Sequence, residues 1–128
     1  MEDAATQIVA AIDDDFRVRE SLESLIESAG YEPAVFSSAE EFLQSGTLTA
    51  AAFVITDVRM PGMDGIELQR RVRLERSDVP IIFISAHDGA EIRHQALDEG
   101  GVGFLHKPFH AADLLALLQA DPANAREK

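Results

Sequence analysis

The chain contains no cysteine and no tryptophan. Without thiols it forms neither a disulfide nor a thiolate nucleophile, and a reducing compartment is the expected setting. Aromatic residues amount to only 6%, against 46% apolar in all, so the core is expected to be aliphatic, as in α/β sheets. Long hydrophobic runs are missing too. None approaches a membrane span, and Glu2 and Asp3 replace the basic start of a signal peptide, which together predict a soluble, cytoplasmic protein with no membrane partner. Positive charge is the last scarcity: 11 Lys and Arg stand against 23 Asp and Glu, leaving a net charge of -12. Such a surface repels phosphate backbones and anionic lipid, so direct nucleic-acid binding by this chain is not expected. What the 128 residues do provide is one domain's worth of chain, able to bury a core without staples.

Short apolar runs alternate with amphipathic stretches. Gln7–Ile12 reads as a buried strand cut off by Asp13, Asp14 and Asp15. Arg17–Gly30 follows as a helix, with Val18, Leu22, Leu25, Ile26 and Ala29 on one face and Gly30 as its stop. Pro33–Phe36 is a second strand, and Ser38-Ala39-Glu40-Glu41 has the spacing of a capping box that opens a helix ending near Gly46. After a third strand at Phe53–Thr56, Asp64 and Glu67 cap a helix that carries Leu68 and Val72 inward. Pro80–Ile84 is the fourth strand and ends in Ser85. Asp88 and Glu91 repeat the cap pattern, and their helix runs with Ile92, Ala96 and Leu97 to a Gly100-Gly101 stop. Val102–Leu105 is the fifth strand, closed by His106-Lys107-Pro108, and Asp113–Gln119 is the last helix, with Leu114, Leu117 and Leu118 on one side. This alternation predicts an α/β domain of (βα)5 type over residues 1–121, with residues 122–128 as a tail or linker stub. The sheet is then doubly wound and parallel, in the flavodoxin-like order 2-1-3-4-5.

In such a sheet the rim at the carboxyl ends of the strands collects reacting groups, because loops converge there on a rigid frame. Asp57 stands at the end of the third strand, where Met60-Pro61-Gly62 begins to turn the chain. Asp13 and Asp14 follow the first strand, Ser85 the fourth and Lys107 the fifth. Each has a plain reading alone: acids and serine as helix caps or turn formers, Lys107 as a surface lysine. Jointly they make a phosphoryl site. Strands one and three are neighbours at the switch point, so their carboxylates face each other, and a divalent cation resolves the repulsion; clustered carboxylates, a carbonyl and waters are the shell that Mg²⁺ takes. Lys107 adds a second positive charge that leaves one carboxylate deprotonated as a nucleophile, and Ser85 is placed to donate to a phosphoryl oxygen.

Asp13-Asp14, Asp57 with Met60-Pro61-Gly62-Met63-Asp64-Gly65, Ser85-Ala86, and Phe104-Leu105-His106-Lys107-Pro108-Phe109 together resemble the receiver domain of two-component response regulators. The resemblance runs from about Gln7 to Gln119 and looks most like the FixJ-type transcription regulators. It implies a CheY-like fold and a signalling module rather than an enzyme. It also implies Asp57 as phosphoacceptor, with Asp14 binding Mg²⁺ directly, Asp13 through water, and the backbone carbonyl of Arg59 completing the protein ligands. By the same resemblance Lys107 binds the phosphoryl group, Ser85 and Phe104 form a switch pair, and the Lys107-Pro108 bond is cis. The implied partners are a sensor histidine kinase and, after phosphorylation, a second copy docked through the face of helix four, strand five and helix five. Control of transcription through an output domain or partner follows from the FixJ-type likeness.

Three consecutive acids leave the register open, since a strand one residue longer gives Asp15 a metal role; Phe16-Arg17-Val18-Arg19 aligns with Asp13-Asp14 as the pair. Arg59 and His87 each lie two residues beyond a key group and are candidate modulators: the Arg59 guanidinium either shields the aspartyl phosphate or faces solvent. Gly101 and Gly103 are expected to loosen the approach to strand five. His106 and His110 share a metal-like spacing, but Pro108 between them breaks the helix that would align the rings, so both are read as solvated or satisfied. Other functions fit less well. A phosphohydrolase of the haloacid dehalogenase type carries its nucleophile in an Asp-x-Asp at strand one and a cap domain, a phosphate-independent receiver-like module has no need of the intact acids and Lys107, and a flavodoxin-like cofactor binder needs amides rather than acids on the rim.

Overall fold

The computed structural model of the chain describes residues 7–86, 90–98 and 101–119. Strands β1 (Ile8–Ile12), β2 (Glu32–Phe36), β3 (Ala51–Asp57), β4 (Ile81–Ser85) and β5 (Gly101–His106) alternate with helices α1 (Phe16–Ser28), α2 (Ala39–Ser45), α3 (Gly65–Glu75), α4 (Ala90–Asp98) and α5 (Ala111–Gln119). The strands form one 5-stranded sheet in the order β2-β1-β3-β4-β5, with every pair parallel. This is the doubly wound arrangement expected from the alternation.

Side chains along each strand divide between two cores, as a period of two requires. Ala10 and Ile12 of β1, Val54 of β3 and Ile81 and Phe83 of β4 face a cluster that includes Phe42 of α2, Ile66, Leu68 and Val72 of α3 and Ala96 of α4. Val9, Ala11, Phe53, Ile55, Ile82 and Ile84 face the other side, where Leu22 and Ile26 of α1 and Leu114 and Leu118 of α5 cover them. Because β1, β3 and β4 are covered on both faces, they read as continuous apolar runs. The polar rim residues then fall where those runs stop.

The helix starts follow local chemistry. Ser38 Oγ accepts from Glu41 N at 3.0 Å and Asp64 Oδ1 accepts from Glu67 N at 2.8 Å, each satisfying a first-turn donor. Glu41 reaches back to the backbone nitrogen of Ser37 at 2.8 Å, one residue earlier than a capping box places it. Gly30 and Gly46 end α1 and α2 with φ of 90 and 79. The cap expected at Asp88 and the tail expected at residues 122–128 lie outside the described residues.

Three local expectations are corrected. A 3-10 turn at Thr47–Ala50 precedes β3, where sequence patterning gave none; buried Leu48 anchors it, and Arg76 Nη1 binds the carbonyls of Leu48 and Ala51 at 3.0 and 2.7 Å. Gly101 belongs to β5 instead of ending α4, pairing with Ile81. It does not loosen the strand. A Cβ on Gly101 would lie 2.8 Å from the Phe83 ring and 2.9 Å from the Ala96 carbonyl, and one on Gly103 would lie 2.7 Å from Leu117, so neighbours occupy the space the glycines leave.

Candidate functional site

The β1–α1 turn is fixed by its own acids. Asp13 is fully buried; its nitrogen donates to the Phe36 carbonyl at 3.1 Å and its Oδ1 accepts from Asp15 N at 2.8 Å. Asp15 in turn is the N-cap of α1, accepting from Arg17 N at 2.8 Å. β1 ends at Ile12 and Asp15 caps the helix, while Asp13 and Asp14 lie with Asp57 at the rim. Arg19 Nη1 holds the Asp13 carbonyl at 2.8 Å, a contact that sequence patterning did not single out.

Asp57 closes β3 with 6% of its surface exposed. The carboxylate oxygens of Asp13, Asp14 and Asp57 include one from each residue within 4.8 Å of the others, and Asp14 alone of the three is exposed. Lys107, at the turn after β5, reaches into the same place. Its Nζ lies 2.7 Å from Asp13 Oδ2 and 3.1 Å from Asp57 Oδ2, so one ammonium bridges the ends of β1 and β3. The backbone sets its position: Lys107 N donates to the Ser85 carbonyl at 2.7 Å, and the Lys107-Pro108 peptide bond is cis, as the resemblance implies.

Electrostatics show what this arrangement lacks. Burial raises the Asp57 pKa and the neighbouring Asp13 raises it further, while Lys107 and a hydrogen bond from the Arg59 backbone nitrogen act against the rise. For Lys107 burial works to release the proton, but the hydrogen bond to Asp13 and the charges of Asp57 and Asp13 together outweigh it and raise the pKa. Both groups hold their protons harder than they would in water. The site gathers three carboxylates around one ammonium and so carries more negative than positive charge. Its donors are hard carboxylate oxygens, buried on the sheet side and open to solvent at Asp14, a set that fits a divalent cation which keeps several of its waters.

The remaining predicted residues divide by exposure. Ser85 is fully buried at the end of β4, opposite His106 in the register, and Phe104 is half-buried against the cluster containing Phe83 and Ala96. Arg59 is exposed, and His87 lies outside the described residues. A groove beside the acids runs between α1 and the β5–α5 connection, lined by Arg17, Val18, Ser21, Lys107, Pro108 and Phe109 among others.

A family model described as the response regulator receiver domain matches residues 9–119. The chain belongs to this family. The receiver domain is 38% identical over 124 residues to the transcriptional regulatory protein FixJ of Bradyrhizobium diazoefficiens, a match covering 93% of this chain and 60% of that protein. It is 39% identical over 120 residues to the response regulator protein TodT of Pseudomonas putida, covering 94% of this chain and 52% of that protein. Among solved structures, the chemotaxis protein CheY4 of Vibrio cholerae superposes with a TM-score of 0.83 at 29% identity, covering 91% of this chain and 99% of that one. The chain therefore spans little more than half the length of the curated relatives it matches. Receiver domains are phosphoacceptor modules of two-component signalling rather than enzymes in the main, and they interact with histidine kinases. No helix among the described residues is long and apolar enough to cross a membrane.

Proposed function

We propose that the domain is a phosphorylation switch in which Asp57 accepts a phosphoryl group from the phosphohistidine of a sensor kinase. The observation that carries this reading is the bridge of Lys107 between Asp13 and Asp57, at 2.7 and 3.1 Å, inside a three-carboxylate group. A carboxylate oxygen of Asp57 forms the new P–O bond while the P–N bond to the kinase imidazole breaks. Asp13, Asp14, Asp57 and the Arg59 carbonyl are the residues that would hold Mg²⁺. When bound, that ion neutralises phosphoryl oxygens and helps hold them in line. Lys107 favours the ionised form of Asp57 against burial and the Asp13 charge, and stands ready for the charge that the transferred group brings. The kinase approaches along the groove between α1 and Pro108-Phe109, which opens onto Lys107.

Ser85 and Phe104 carry the signal outward. Ser85 moves to donate to a phosphoryl oxygen, and Phe104, on the neighbouring strand and packed against the cluster that includes Ala96 of α4, turns into the space it leaves. The face made by α4, β5 and α5 is thereby remodelled, and a second copy or an output partner binds it better. A bias of a few kcal/mol suffices, because such a switch is a population shift. Arg59, exposed beside the acids, borders the attacking water and slows hydrolysis of the aspartyl phosphate. Control of transcription lies with an output domain or partner, and the domain works in the cytoplasm. Beryllofluoride with Mg²⁺ should shift the amide resonances of Ser85, Phe104 and α4 together; a spectrum that changes only around Asp57 would refute the switch.

A further inference from the structure

We infer that Glu40 is a positioning residue for the phosphoryl site, holding from α2 the loop that follows Asp57. The inference rests on Asp57 being the phosphoacceptor. Glu40 Oε2 accepts a hydrogen bond from the backbone nitrogen of Met63 at 3.0 Å, joining residues 23 apart in the chain. The carboxylate fits there because Gly62 has no side chain: a Cβ would lie 2.6 Å from Glu40 Oε2, and the Gly62 φ of +77 disfavours any other residue. Hydrogen bonds from its own amide and from Met63 lower the Glu40 pKa, so the acceptor is charged and the bond correspondingly strong.

The ends of the same loop are tied to Asp57 by other means. Arg59 N donates to the Asp57 carboxylate, and Gly65 N donates to the Val58 carbonyl at 2.8 Å. Gly65 also abuts the Asp57 carbonyl, where a Cβ would collide. Between these ties, residues 59–63 carry the Arg59 amide that supports the Asp57 carboxylate and the Arg59 carbonyl assigned to the ion. Glu40 fixes the far part of that stretch from a helix that contributes nothing else to the site. Without it, an arriving divalent ion must order the loop as well as bind, and part of its affinity goes into that ordering.

The test compares the full chain with Glu40→Ala and Glu40→Gln. Hydrogen exchange of the Met63 amide is read in metal-free protein, and labelling by acetyl phosphate is read across a Mg²⁺ titration. Glu40→Ala should speed Met63 exchange and raise the Mg²⁺ concentration for half-maximal labelling about 10-fold, the usual scale for losing a supporting group around a metal site. The rate at saturating Mg²⁺ should change far less, and Glu40→Gln, which keeps an acceptor oxygen, should stay within about 3-fold of the parent in Mg²⁺ requirement. A Mg²⁺ dependence unchanged in Glu40→Ala, or an equal loss at every Mg²⁺ concentration, overturns the inference. Should Glu40→Ala fail to fold, Glu40→Ser, whose hydroxyl is too short to reach the Met63 amide, takes its place: faster Met63 exchange with a raised Mg²⁺ requirement supports the role, and an unchanged Mg²⁺ requirement refutes it. Asp57→Asn run alongside tests the phosphoacceptor itself, so failure of that reading is seen separately.

Discussion

Burial and the charge of Asp13 both work against an ionised Asp57, and Lys107 with the Arg59 amide offsets them only in part. With its native pKa above the unfolded value of about 3.9, Asp57 favours the fold most below that value, and this contribution is lost as pH rises through the raised native pKa. Asparagine at the same place does not titrate. In metal-free buffer the stability advantage of Asp57→Asn over the parent should therefore grow as pH is raised from about 4 to 7, checked by thermal melts at several pH values in EDTA. A constant difference would mean that the acid is not under strain. Lys107 is the group that keeps this strain tolerable, touching both buried acids. Lys107→Ala should move the Asp57 carboxyl titration further upward, which carbon NMR of the labelled carboxyl would read; a downward move would contradict the assigned geometry. At this scale the acids, Ser85 and Lys107 were legible because each stands at or just past the end of a strand. Arg19 and Glu40 were not, since their partners, the Asp13 carbonyl and the Met63 amide, are chosen by how the chain folds back.

Among the elements, β5 depends most on what its neighbours occupy. Gly101 sits against an aromatic ring and a backbone carbonyl, whereas the atoms nearest a Cβ on Gly103 are the terminal methyls and Cγ of Leu117, the far end of a flexible side chain. Gly101→Ala should cost about 1–3 kcal/mol, the range for overpacking a filled site, and Gly103→Ala should cost less; denaturant melts of the two variants give the order directly. Helix caps at Ser38 and Asp64 could be read in advance because the bonds close within three residues. The 3-10 turn at Thr47–Ala50 and the true start of β5 could not. Leu48 is held by burial and by Arg76 from the far end of α3, and Gly101 enters the strand because Phe83 and Ala96 demand a residue without a side chain there. Glycine-rich text spells a helix stop equally well, and only packing distinguishes the two.

For the whole molecule, acids outnumber bases to a net charge of -12, and three of those acids, Asp13, Asp14 and Asp57, meet at the sheet rim, where one lysine does not neutralise them. A divalent cation that binds the native state alone should stabilise it by about 2.7 kcal/mol at a hundred times its dissociation constant. Thermal melts should accordingly rise with Mg²⁺ in the parent, and the rise should shrink sharply in Asp57→Asn. The packing sets α1 and α5 on one face of the sheet and α2, α3 and α4 on the other, and leaves Phe104 partly buried at the margin of its core. The most direct check is the intact mass of the full chain after treatment with acetyl phosphate, with the adduct located by peptide mapping. The account predicts one phosphoryl group, on Asp57, formed with Mg²⁺ and not in EDTA. Labelling of Asp57→Asn at the parent's rate, or labelling of the parent indifferent to magnesium, would contradict it.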